Sequence, residues 1–142
     1  MERRKVLAVM AALALGLAGT AGNARADDKG GGQADKAATA CADCMTKCAK
    51  GLKHCARQLA AGNKEYLKCL ELCADCMEAC GASAKCCHGE SAAASCGACA
   101  KICESCAAAC DKLGSGDPQM KDVARSCRDC AKMCHMMMGH KE

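Results

Sequence analysis

Along most of this chain the buried-type positions of a helical repeat are filled by one residue, cysteine, with polar residues and alanine between. Across 96–110 the cysteines fall at 96, 99, 103, 106 and 110, alternating steps of three and four that keep side chains on one helix face. Seam positions that normally carry Leu or Ile are all thiols here. The pattern predicts a helix over 35–61, with Cys41, Cys44, Cys48 and Cys55 on one face and Gly62-Asn63 as its stop. A second helix is predicted over 64–87, with Tyr66, Cys69, Cys73, Cys76, Cys80 and Cys87 on its seam and Gly89 ending it. The third, capped by Ser91 or Ser95, carries 96–110 on to Leu113 before the break Gly114-Ser115-Gly116. The fourth has Asp117 as cap and Pro118 at its first position, a seam of Met120, Val123, Cys127, Cys130, Cys134 and Met137, and Gly139 at its end.

Four helices of similar length joined by short breaks predict an all-α fold, an antiparallel up-down four-helix bundle with a Cys-lined core. Facing residues of antiparallel neighbours share a constant sum of positions. For helices one and two a sum of 124 pairs Cys55 with Cys69, Cys48 with Cys76 and Cys44 with Cys80. For two and three a sum of 179 pairs Cys73 with Cys106, Cys76 with Cys103 and Cys80 with Cys99, and for three and four 233 pairs Cys106 with Cys127, Cys103 with Cys130 and Cys99 with Cys134. These sums stack two all-Cys layers, Cys48/Cys76/Cys103/Cys130 and Cys44/Cys80/Cys99/Cys134. One end is plugged by Gln58, Tyr66, Leu113 and Met120, with Val123 joining Cys55, Cys69 and Cys110 above. Beyond Cys41, Ser83, Cys96 and Met137, the other end is a mouth lined by Cys86, Cys87, His88, Met138 and His140.

Ahead of the bundle, residues 1–26 read as a removable export signal: a basic start, an apolar run over 6–17, and Ala24-Arg25-Ala26 fitting the small-x-small cleavage rule. Arg3-Arg4 followed by Lys5, Val6 and Leu7 resembles the bacterial twin-arginine signal, which places the mature chain in the periplasm. The apolar run is too short for a membrane span, so a soluble mature protein is expected. Residues 27–34 form a polar, Gly-rich leader, and 35–142 hold the single bundle domain. The whole chain carries +4, of which Arg3, Arg4, Lys5 and Arg25 against Glu2 supply +3. The remaining +1 points to neither nucleic acid nor an acidic membrane surface. Beyond residue 26 there are six Leu, one Ile, one Val, one Tyr and no Phe or Trp, so the eighteen Cys must supply the interior.

Many cysteines in an exported chain suggest a disulfide framework on composition alone. The spacing argues otherwise, because helix neighbours three or four apart have Cβ atoms roughly 5–6 Å apart and a disulfide wants about 3.8 Å. Bridges between helices remain open. Thiolates are soft ligands that select Cu(I), zinc or iron-sulfur clusters. Cu(I) accepts two sulfurs in a near-linear arrangement, a span of about twice a metal–sulfur bond of roughly 2.3 Å. Zinc wants closed sets of four, which the two all-Cys layers could offer but the rest of the column does not. The ferredoxin run is absent, and Cys130, Cys134 and His135 are spaced C-x-x-x-C-H rather than as the haem signature. If each thiolate bridges two Cu(I) and each Cu(I) takes two thiolates, a core of any length stays neutral. Burying the thiolates without metal is prohibitive, so the empty core holds thiols and loading releases protons.

Met45, Met77 and Met133 lie on helix flanks as gap-fillers, Met136 points outward, and His54 and His135 are placed on the surface. Leu67 points away from the core, toward a subunit contact. No paired carboxylates and no Cys-His unit with an orienting third group suggest catalysis, so the chain is read as a non-enzyme. The candidate metal ligands are the seam thiols Cys41, Cys44, Cys48, Cys55, Cys69, Cys73, Cys76, Cys80, Cys87, Cys96, Cys99, Cys103, Cys106, Cys110, Cys127, Cys130 and Cys134, joined at the mouth by Cys86, Met137, Met138 and His140.

The runs Cys41-Cys44-Cys48, Cys69-Cys73-Cys76-Cys80, Cys96-Cys99-Cys103-Cys106-Cys110 and Cys127-Cys130-Cys134 make the chain resemble the Cys-rich four-helix-bundle copper storage proteins, in their exported bacterial form. The resemblance implies a bundle whose inward thiols bind many Cu(I) ions entering at one open end with Met and His nearby, in a homo-oligomer. Its partners would then be copper ions, their donors and recipient copper enzymes. The chain departs from that pattern in its larger number of Cys and in the adjacent pair Cys86-Cys87, of which Cys86 falls outside the stack. Zinc or general soft-metal sequestration, and a disulfide-stapled structural or redox protein, are the alternatives.

Overall fold

The computed structural model describes residues 32–139, so the expected export signal and His140 lie outside the described residues. Helix α1 spans Gln33–Ala60, α2 Leu67–Cys86, α3 Ala92–Gly114 and α4 Pro118–Gly139, with a short 3-10 turn at Lys64–Tyr66 leading into α2. Each helix packs against two others, α1 on α2 and α4, and α3 on α2 and α4, so the four close into a square bundle. No helix among the described residues is long and apolar enough to cross a membrane.

The helix stops follow from local chemistry. At the end of α1, Gly62 takes φ +96°, a conformation without steric cost only for glycine. The Asn63 N–H donates to Gln58 O and the Gly62 N–H to Leu59 O, both at 3.0 Å, which satisfies the last carbonyls. At the start of α4, Asp117 Oδ1 accepts from the N–H groups of Gln119 (3.1 Å) and Met120 (3.3 Å), the expected cap. Ser91 holds the N-cap position of α3 without a side-chain cap bond. Residues 64–66 form the 3-10 turn instead of the first turn of α2, and Cys87 lies in the turn beyond that helix.

The core is mostly sulfur, with Leu52, Leu70, Met120 and Val123 as its larger apolar side chains. Between α2 and α3 the expected register holds: Cys73–Cys106, Cys76–Cys103 and Cys80–Cys99 are 3.8, 3.4 and 3.6 Å apart at their Sγ atoms. The expected neighbours Cys48/Cys76 and Cys44/Cys80 of α1 and α2, and Cys103/Cys130 and Cys99/Cys134 of α3 and α4, also lie within 4.8 Å; the departure is an offset between α1 and α4. Cys44 meets Cys76 at 3.8 Å and Cys127 at 3.7 Å, while Cys41 meets Cys130 at 3.5 Å. The flat layers that set Cys48 opposite Cys130 and Cys44 opposite Cys134 are therefore replaced by interleaved ones. The cause is steric. Val123 faces Gly51, where an added Cβ would lie 2.8 Å from Val123 Cγ2, so the bulk of α4 fits the one seam position of α1 that has no side chain.

The plugged end is a polar lock as well as an apolar one. Asp117, 7% exposed, accepts at Oδ2 from Tyr66 OH at 2.7 Å and from His54 Nε2 at 2.6 Å. The two rings meet edge to face with centroids 5.9 Å apart. His54 is thus not the surface residue expected from its position off the seam: its side chain is 17% exposed and ties α1 to the start of α4. His135 is exposed as expected and pairs with Glu104. Burial raises the Asp117 pKa, but the hydrogen bonds from Tyr66, His54 and the Met120 N–H outweigh it and hold the carboxyl below its usual range. The bond to Asp117 pushes the Tyr66 phenol up to about 12.

Two outcomes follow for the metal-free protein. Gly51→Val should destabilise it by about 1–3 kcal/mol through overpacking, and adding Val123→Ala should recover part of that loss in urea unfolding. Asp117 titrates lower in the fold than in the unfolded chain, so its stabilisation is complete above about pH 4 and is lost as pH falls through the folded value. Asp117→Ala should cost about 1–2 kcal/mol at neutral pH, and Asp117→Asn, which keeps a capping oxygen, should flatten the acid limb of stability measured by circular dichroism.

Candidate metal centre

Seventeen of the eighteen cysteines are buried, and Cys86 alone is half-buried. All are free thiols, with neighbouring Sγ atoms at van der Waals and S–H···S separations, from 3.4 Å for Cys76–Cys103 to 4.0 Å for Cys106–Cys110. Four groups of sulfurs lie within 4.8 Å of one another: Cys41/Cys99/Cys130/Cys134, Cys44/Cys80/Cys103/Cys130, Cys44/Cys48/Cys76/Cys127 and Cys48/Cys73/Cys106. The groups overlap. Cys130 belongs to the first and second, Cys44 to the second and third, and Cys48 to the third and fourth. The result is one continuous run of donor sets joined at shared sulfurs, with each helix contributing because its seam faces inward.

The remaining seam thiols extend both ends. Toward the plug, Cys110 continues from Cys106, and Cys55 directs its thiol at Met120 Sδ, 3.6 Å away; Cys69 is buried on the same stretch of α2. Toward the mouth, Cys96 lies 3.4 Å from Ser83 Oγ, and Cys87, buried in its turn, donates to Ser83 O at 2.9 Å. Cys86 stands outside the run, as its position beside Cys87 implied. Met137 and Met138 are half-buried at the last turn of α4, and Met138 packs on α3, where a Cβ on Gly97 would come 3.2 Å from its Sδ. His88 is exposed and faces Asp35 at 3.1 Å. Met120, expected among the plug residues, also brings its sulfur into line with the thiols, and its place on the α4 seam is the signal for it.

Burial disfavours the thiolate form along the empty run. The Cys127 and Cys130 thiols are held far above the ordinary thiol value, chiefly by their hydrogen bonds with Cys103 and then by those with further neighbouring thiols. Desolvation pushes Cys96 up to about 12. Cys87 is also raised, first by its contact with Cys41. Buried thiols without thiolate character are inert, so a thiol reagent added to the native metal-free protein should modify Cys86 quickly and the other seventeen only as the chain unfolds, a contrast that mass spectrometry of the alkylated protein reads directly.

A family model described as copper storage protein matches residues 31–139, the whole of the described bundle. No curated protein and no solved structure matches the chain. With four Cys-seamed helices closed around a run of overlapping sulfur sets, and with that match across all four, the chain belongs to the copper storage protein family.

Proposed function

We propose that this protein stores Cu(I), many ions per chain, by bridging them between thiolates inside the bundle. The observation that carries the reading is the sharing of Cys130, Cys44 and Cys48 between successive sulfur groups. A tetrahedral zinc site gathers four thiolates around one divalent ion, which leaves uncompensated negative charge wherever its sulfurs are not all shared. A two-coordinate monovalent ion behaves otherwise: a thiolate that bridges two ions lets charge cancel one for one along the whole run. Sulfurs now 3.4–4.0 Å apart have to spread to about 4.6 Å for a linear pair, a change that side-chain rotation within a core of small residues supplies.

The role is storage and buffering, not catalysis, with release to copper enzymes and filling from a copper donor. We place it in the periplasm on the strength of the export signal read in residues 1–26. Ligands beyond the overlapping groups are the other seam thiols, with Cys86, Met137 and Met138 as donors at the mouth and His140, read from the sequence, as a further donor.

Anaerobic titration of the reduced mature protein with Cu(I), against a strong Cu(I) chelator, should give on the order of ten or more tightly held ions per chain. Helical content should not change, and about one proton should leave per ion bound. Zinc at equal concentration should not displace them. A count of about one to four ions, or displacement by zinc, would replace storage with discrete sites.

A further inference from the structure

The sulfur run does not end at a thiol. Of the methionines in the described residues, Met120 alone is completely buried, and its Sδ meets the Cys55 Sγ at 3.6 Å. Cys55 belongs to none of the four overlapping groups. Cys55 adjoins Cys73, a member of the fourth group, and Met120 packs beside Val123 against Gly51, so Cys55 and Met120 form a mixed donor set at the end of the run. Its backbone is held in place, because the Met120 N–H is bound by Asp117 Oδ1 in the α4 cap.

We infer that Cys55 and Met120 form a distinct terminal Cu(I) site at the plugged end of the bundle, a thiolate–thioether pair rather than a bridged thiolate pair. The inference rests on the storage reading. Cu(I) bonds Cys55 Sγ as the thiol proton leaves to solvent, and it bonds Met120 Sδ, which has no proton to lose. One thiolate and one Cu⁺ leave the site neutral. That balance suits a desolvated position close to the Asp117 carboxylate, where a second thiolate would add uncompensated charge. A thioether donor is also soft enough to hold Cu(I) while giving zinc a poor ligand. A methionine that merely fills space needs no particular direction for its sulfur, whereas this one is aimed at a buried thiol within S–H···S distance.

The test uses selenomethionine-labelled full-length mature protein in which Met136, Met137 and Met138 are changed to Leu, so that mouth thioethers contribute nothing. After Cu(I) loading, selenium-edge X-ray absorption should show a Se–Cu shell, and adding Met120→Leu should abolish it. The same substitution should lower the Cu(I) count by about one ion per chain, with the melting of the metal-free protein near that of the parent. Cys55→Ala on the unchanged Met120 background should remove the same shell, and it covers the case in which Met120→Leu fails to fold. A Se–Cu shell that survives either change, or none in the loaded parent, overturns the inference. If the parent still binds ten or so ions in that event, storage stands and only the terminal site is lost; if it binds few, the storage reading fails first.

Discussion

Every feature of this bundle depends on one constraint: a column of sulfur can be buried only if it carries no net charge. The side chains that line the seam are small and weakly polar when protonated, and they pack as modest hydrophobes. Ionised, they would face one another at 3.4–4.0 Å with water excluded, which no helix packing could sustain. The core is therefore stable in two conditions, with all protons in place or with a monovalent cation for each proton lost. That is a chemical statement about the fold before it is one about copper.

The same small side chains weaken the core as a source of stability, since a Cys buries far less apolar surface than a Leu. The fold compensates at its closed end. Leu52, Leu70, Met120 and Val123 supply the bulk, and the His54–Asp117–Tyr66 lock joins three segments through one carboxylate. Surface pairs such as Lys47–Asp122 across α1 and α4, and Arg128–Asp111 across α3 and α4, add little individually. The end remote from the lock carries Cys86, Cys87, Cys96, Met137 and Met138.

The helices were legible because Cys at steps of three and four reports helical period as plainly as Leu does, and because Gly62, Asp117 and Pro118 punctuate the chain at the right places. The register of α2 on α3 was legible for a related reason: both seams are nearly all Cys, so a constant sum of positions aligns many pairs at once. The offset between α1 and α4 was hidden. The α1 seam has only four thiols and a gap at Gly51, and matching sulfurs carry no information about the fit of Val123 into that gap. His54 was hidden too, since hydrophobic period places a polar residue on a face but says nothing of the carboxylate it will bond. Met120 was placed correctly in space and given no chemistry, because a thioether among thiols looks like filler until its sulfur is seen to face one.

The lock at one end has a consequence for order. With His54, Tyr66 and Asp117 closing the bundle where α1 and α4 meet, a metal ion held as proposed would reach the interior from the opposite end and leave by it. A vessel with one opening behaves as a stack: what arrives first lies deepest, and what arrives last departs first. Such a protein would hold a long-lived reserve and a rapidly exchanging fraction in the same chain, separated by depth alone and without any difference in the chemistry of the bridging sulfur.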